Sequence, residues 1–95
     1  MVKTIIFAPG AVTAGTNISL PDWAPKVSEI AAAIKITLSD ASTAGSVTSL
    51  TVTSTTPSSG EIQLVDESTI VLGDDTTARD VLVLIVVEKG EYSGA

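Results

Sequence analysis

The chain contains no cysteine and no histidine. Without cysteine it has neither disulfides nor thiolate metal sites. Without histidine it lacks the commonest zinc and copper ligand, and the Ser-His and Cys-His nucleophilic arrangements fall away with it. One Trp, one Tyr and one Phe are little material for stacking bases. Lys3, Lys26, Lys35, Arg79 and Lys89 are scattered singly against eleven acidic residues, so the basic footprint that nucleic acid requires is missing. The longest apolar run, residues 81–87, is far below the roughly 18 residues needed to span a membrane. After Lys3, the apolar stretch 4–8 stops at Pro9-Gly10 and does not continue as a signal peptide. The expectation is a soluble chain made in the cytoplasm that binds neither nucleic acid nor membrane.

What remains is 95 residues with a formal charge of −6, one domain's worth of chain. A domain of this size buries only about 60–65% of its unfolded surface. Small domains are usually reinforced by disulfides, a metal or association, and composition leaves association, so a homo-oligomer is expected. The 44% hydrophobic content is well above that of a disordered acidic chain.

Ser, Thr, Val, Ile and Ala dominate, a composition that favours strands. Residues 3–8 read as a strand ending at Pro9-Gly10, and residues 16–20 as another ending at Pro21. In the middle, Ile30, Ala32, Ile34, Ile36 and Leu38 share one parity, which predicts one apolar and one mixed face. A helix competes there, because Val27, Ile30, Ala31 and Ile34 also fall at helical spacing behind Pro25. The alternation through Ile36 and Leu38 favours the strand. Residues 47–54, 61–65, 69–72 and 81–88 complete the set, with Asp66-Glu67-Ser68 short enough to close a hairpin. The pattern predicts an all-β fold: one small β-sandwich or β-barrel-like domain of six or seven antiparallel strands over residues 1–95, with a loose polar tail from residue 89.

The last strand departs from this pattern. Val81-Leu82-Val83-Leu84-Ile85-Val86-Val87 does not alternate, yet the period of a strand is two and only half of these side chains reach one core. Three such side chains left in water would forgo about 5–9 kcal/mol, comparable with the whole stability of a typical domain. Either a loop of the chain, such as the one around Trp23, covers the outer face, or another subunit does. The candidate interface is Val81, Val83, Ile85 and Val87 together with Trp23. That residue sits in Pro21-Asp22-Trp23-Ala24-Pro25, where it is either a plug over the core or a contact.

Sites for chemistry are few. Lys26 and Ser28 are close in sequence but lack supporting residues. Asp74, Asp75, Thr76 and Asp80 form an acidic segment that reads either as a solvated turn or as an ion site, and it matches no EF-hand spacing. Asn17-Ile18-Ser19 fits a glycosylation sequon, which without a signal peptide reads as chance. No catalytic residue, cofactor or metal ligand is assigned, and the chain is not expected to be an enzyme.

The C-terminal third carries a resemblance. Ser59-Gly60-Glu61-Ile62-Gln63-Leu64, then Asp66-Glu67-Ser68-Thr69-Ile70-Val71-Leu72-Gly73-Asp74, Asp80-Val81-Leu82-Val83 and a Lys89-Gly90-Glu91-Tyr92 ending resemble small virion proteins of tailed bacteriophages. The Pro21–Pro25 loop followed by Ser28-Glu29-Ile30 adds to it. The resemblance is one of style and order, without a diagnostic motif. It implies a many-copy structural subunit of the virion that decorates or cements the head, with the major capsid protein or other virion subunits as partners and no catalytic residues. A tail accessory protein and a carbohydrate-binding or adhesion module are the competing expectations, the latter poorly served by so few aromatic residues.

Overall fold

The computed structural model describes residues 1–90. Among these, β-branched side chains set the local conformation, and seven strands form: β1 (Val2–Phe7), β2 (Asn17–Ser19), β3 (Val27–Thr37), β4 (Ser46–Thr53), β5 (Glu61–Asp66), β6 (Thr69–Leu72) and β7 (Asp80–Glu88). The domain is all-β, and the segment for which a helix competed is the long strand β3. The strands lie in the order β1-β7-β3-β4-β5-β6-β2 within one curled sheet. Neighbours are antiparallel, except that β4 and β5 run parallel.

The curl comes from β4, which serves both halves of the sheet. Its first part pairs with β3, from Thr37↔Ser46 to Ala33↔Leu50. Its last part pairs instead with β5, through Thr51↔Glu61, Val52↔Ile62 and Thr53↔Gln63. The β1-β7-β3 half and the β5-β6-β2 half therefore face each other across a core. The first half contributes Ile5, Val27, Ile30, Ala33, Leu82, Leu84 and Val86; the second contributes Ile18, Ile62, Ile70 and Leu72.

β3 carries two irregularities in its pairing with β7, between Val27 and Glu29 and between Ile30 and Ala32. A bulge inserts a residue and reverses the parity of the positions beyond it. Val27, Ile30 and Ala33, three residues apart, consequently all point into the core. Ala32, Ile34 and Ile36 point out, opposite Ile85, Val83 and Val81. The single apolar face expected for Ile30, Ala32, Ile34 and Ile36 is thus split: Ile30 is inside, and the rest are outside.

Loops are bonded to one another at the ends of the strands. Thr76 is buried; its hydroxyl donates to the Gly10 carbonyl and accepts from Val12 N–H (2.9 Å), while its own N–H donates to the Val12 carbonyl (2.8 Å). Ala14 N–H donates to Asp75 Oδ1 (2.8 Å). Arg79 pairs with Asp40 Oδ2 at 2.8 Å. Of the tail expected to be loose, Lys89 N–H donates to the Lys26 carbonyl (2.8 Å) and its ammonium meets Glu67 Oε2 at 2.6 Å; residues 91–95 lie outside the described residues.

Candidate functional site

The two outer faces of the sheet differ in kind. On the β5-β6-β2 side the outward positions include Thr51, Thr53, Glu61, Gln63, Asn17 and Ser19, with exposed Val65 and buried Val71 as the apolar exceptions. That is the polar exterior expected of a sheet with one face in water. The outer face of β1-β7-β3-β4 is apolar instead.

It is assembled from four strands. On β7, Leu82, Leu84 and Val86 are fully buried, and Val81, Val83, Ile85 and Val87 between them are half-buried on the outer side. Register places Val2 beside Val87 and Ile6 beside Val83 on β1. On the other flank Ile34 lies beside Val83, and Ile36 beside Val81. Val47 of β4 extends this last row. Val2, Ile6 and Val47 are 63%, 56% and 68% exposed. Among the strand residues of this face only Glu29 is charged. A contiguous apolar patch of this kind makes the face a candidate interaction surface.

Four of the five interface residues read from the sequence, Val81, Val83, Ile85 and Val87, therefore lie on one surface. Trp23 does not plug the core: it is 65% exposed, and its neighbour Ala24 is the loop residue that packs inward. Its loop is bonded to the β5–β6 turn, through Leu20 N–H to the Ser68 carbonyl (2.8 Å) and Val27 N–H to the Glu67 carbonyl (2.9 Å). Sequence reasoning missed Val2, Ile6, Ile34, Ile36 and Val47 as part of the surface. Ile34 and Ile36 were visible as an alternating stripe, but the bulge moved that stripe to the outside.

The acidic segment expected as a turn or an ion site sends its carboxylates in different directions. Asp74 accepts from the Ser59 hydroxyl (2.7 Å) and from Gly60 N–H (2.6 Å). Asp75 is bonded to Ala14, and Asp80 accepts from the Thr37 hydroxyl and from Thr77 N–H (2.8 Å). Each carboxylate ties a different piece of chain, which is structural work, and among the described residues no group of three potential metal ligands converges. Two larger open clefts lie on the surface among others. One, about 450 Å³, lies where β3 and β4 part, near Glu29, Ile30 and Thr53. The other, about 430 Å³, lies between Phe7 and Ile18. Glu29 is the one ionisable side chain lining either of them.

No protein-family model matches the chain, and comparison with curated proteins and with solved structures finds no match either.

Asp80 gives a pH prediction. Burial alone would raise its pKa, but the Thr37 hydroxyl, Thr77 N–H and the Lys35 charge together hold it below the usual aspartate value. Asp74 is lowered by its bonds from Ser59 and Gly60. A depressed native pKa contributes stability that is fully present above the unfolded value of about 3.9 and is lost as pH falls through the native value. The denaturant midpoint is expected to hold from pH 7 to 5 and to drop below about pH 4. Asp80→Asn is expected to lower stability at pH 7 by about 1–2 kcal/mol and to shrink the acid-induced drop. Titrations at pH 7 and pH 3 check this; an unchanged drop in the variant would refute the role of Asp80.

Proposed function

We propose that the chain is a non-catalytic structural subunit that works by laying the outer face of β1-β7-β3-β4 against other protein subunits of a virus particle, as a head decoration or cement protein. The observation that carries the docking part is the contrast between a polar outer face on one half of the sheet and an apolar one on the other. The virion setting rests on the resemblance to small phage virion proteins. A decoration subunit stabilises a shell by adding contact area at junctions between subunits, and a broad, nearly uncharged sheet face suits that work. The net charge of −6 keeps free copies soluble before assembly. A tail location would use the same face in the same way.

The test uses the central row of the face, in which Ile6, Val83 and Ile34 lie side by side. Changing all three to Thr keeps β-branching and strand preference while removing about 1 kcal/mol of apolar contact at each position. Binding to particles stripped of the chain is expected to weaken about 100-fold, with the circular dichroism of the free protein unchanged. Equal binding by the folded variant would sink the proposal. Exposed Trp23 favours the sugar-binding alternative, and glycan-array hits lost on Trp23→Ala would promote it.

A further inference from the structure

We infer that the free edge of β1 is a self-pairing edge: two copies join antiparallel through β1 and extend the sheet across a two-fold axis. The inference rests on the docking reading above for the face that results, and it names a second copy of the chain as the partner.

The argument starts from the phase of the hydrogen bonds. Glu88 N–H donates to the Met1 carbonyl at 2.8 Å, and Val2 faces Val87 in the ladder. In an antiparallel pair, bonded and non-bonded residue pairs alternate. Met1, Lys3, Ile5 and Phe7 are therefore the residues whose backbone groups bond to β7. The N–H and C=O groups of Val2, Thr4 and Ile6 point to the opposite side, where no strand pairs with β1 among the described residues.

Such an edge is normally blunted by shortness, proline, a bulge or charge. The other edge strand, β2, is three residues long. β1 has six residues, no proline, no bulge, and Lys3 as its one charge. Val2 and Ile6 are also among the most exposed large apolar side chains.

The edge is self-complementary in one register. With Thr4 opposite Thr4 of the second copy, Val2 meets Ile6 and Ile6 meets Val2, so all three outward-facing residues find partners. Shifting toward the N-terminus sets Lys3 against Lys3 and leaves Ile6 unmatched. Shifting the other way leaves Val2 unmatched. The favoured register supplies β-branched cross-strand pairs and keeps like charges apart. It is also isologous, as a two-fold interface requires. The two apolar outer faces then become one continuous surface, through the Val2–Ile6 pairs.

The absence of cysteine makes the register directly testable. Thr4→Cys is expected to form a disulfide-linked dimer under mild oxidation, since directly opposed residues lie about 5.5 Å apart between Cα atoms, within disulfide range. Val2→Cys and Ile6→Cys are expected to cross-link at least ten-fold better when mixed than either does alone. Sedimentation of the untagged wild-type chain is expected to show a concentration-dependent dimer. Thr4→Pro, which removes an outward N–H without touching the ladder to β7, is expected to be a folded monomer. A Val83→Thr and Ile34→Thr double variant, which leaves β1 untouched, separates the two ideas, because edge pairing survives it and face docking weakens. A wild-type monomer at all concentrations, or a dimer lost in that double variant but kept in Thr4→Pro, overturns edge pairing and leaves the docking face standing.

Discussion

Leu84→Ala is expected to lower the unfolding free energy by about 3–4 kcal/mol, whereas Ile85→Ala, one residue along the same strand, is expected to cost about 1 kcal/mol. Leu84 is fully buried and lies between Ile5 on β1 and Ala33 on β3. Truncation removes apolar contacts on both flanks and leaves a cavity that a sheet fixed by ladders on both sides fills poorly. For a domain of this size, total stability is about 5–14 kcal/mol, of which this loss takes roughly a fifth to four-fifths. Ile85 lies on the outer face beside Thr4 and Ala32, and its loss leaves no enclosed void. Guanidinium denaturation of both variants measures the difference. If Ile85→Ala proves as costly as Leu84→Ala, the outer face is covered within the monomer and the reading of that face fails.

The second large effect is at Gly73. A Cβ built there would lie 1.8 Å from the Ser58 carbonyl oxygen and 2.4 Å from its carbon. The obstacle is backbone, so no rotamer change relieves it. The 58–60 loop has to move away, which pulls apart Gly73 N–H to the Glu61 carbonyl (3.0 Å) and both bonds from Ser59 and Gly60 to Asp74. Gly73→Ala is expected to cost about 3 kcal/mol or more, from strain and several lost hydrogen bonds together. Asp74→Ala removes the carboxylate bonds without the clash and is expected to cost clearly less. Thermal unfolding of the pair decides it: equal losses would mean that the carboxylate bonds, and not the close approach, hold the loop.

Much of the fold was legible in the sequence because β-branched runs and Gly, Pro and Ser turns mark where strands start and stop. The boundaries of β4 through β7 fall within a residue of those expected, and the double-sided apolar character of residues 81–87 pointed directly at the outer surface. Parity was not legible where the ladder is irregular. Ala31 is a small side chain that fits in or out, so nothing in its chemistry signals that an extra residue sits there, and every position from Ala32 onward was assigned to the wrong side. The parallel step from β4 to β5 was equally silent. A short connection rich in Ser, Thr, Pro and Gly looks the same whether the chain turns back or crosses over. The acidic segment shows the same limit: adjacency in sequence suggested convergence, while the backbone turns each carboxylate toward a different loop.

The position of β7 has a consequence for how the chain comes to be folded at all. β7, the last strand among the described residues, is inserted between β1 and β3, so β1 has no neighbour, and the core no central wall, until residues 80–88 have left the ribosome. Contacts between segments some eighty residues apart in sequence close late and slowly, and the greasy stretches wait unshielded meanwhile. Emergence of residues 80–88 is therefore the step that makes the domain safe, and a nascent chain cut short before that strand is a candidate for chaperone capture or clumping, not a smaller version of the same domain.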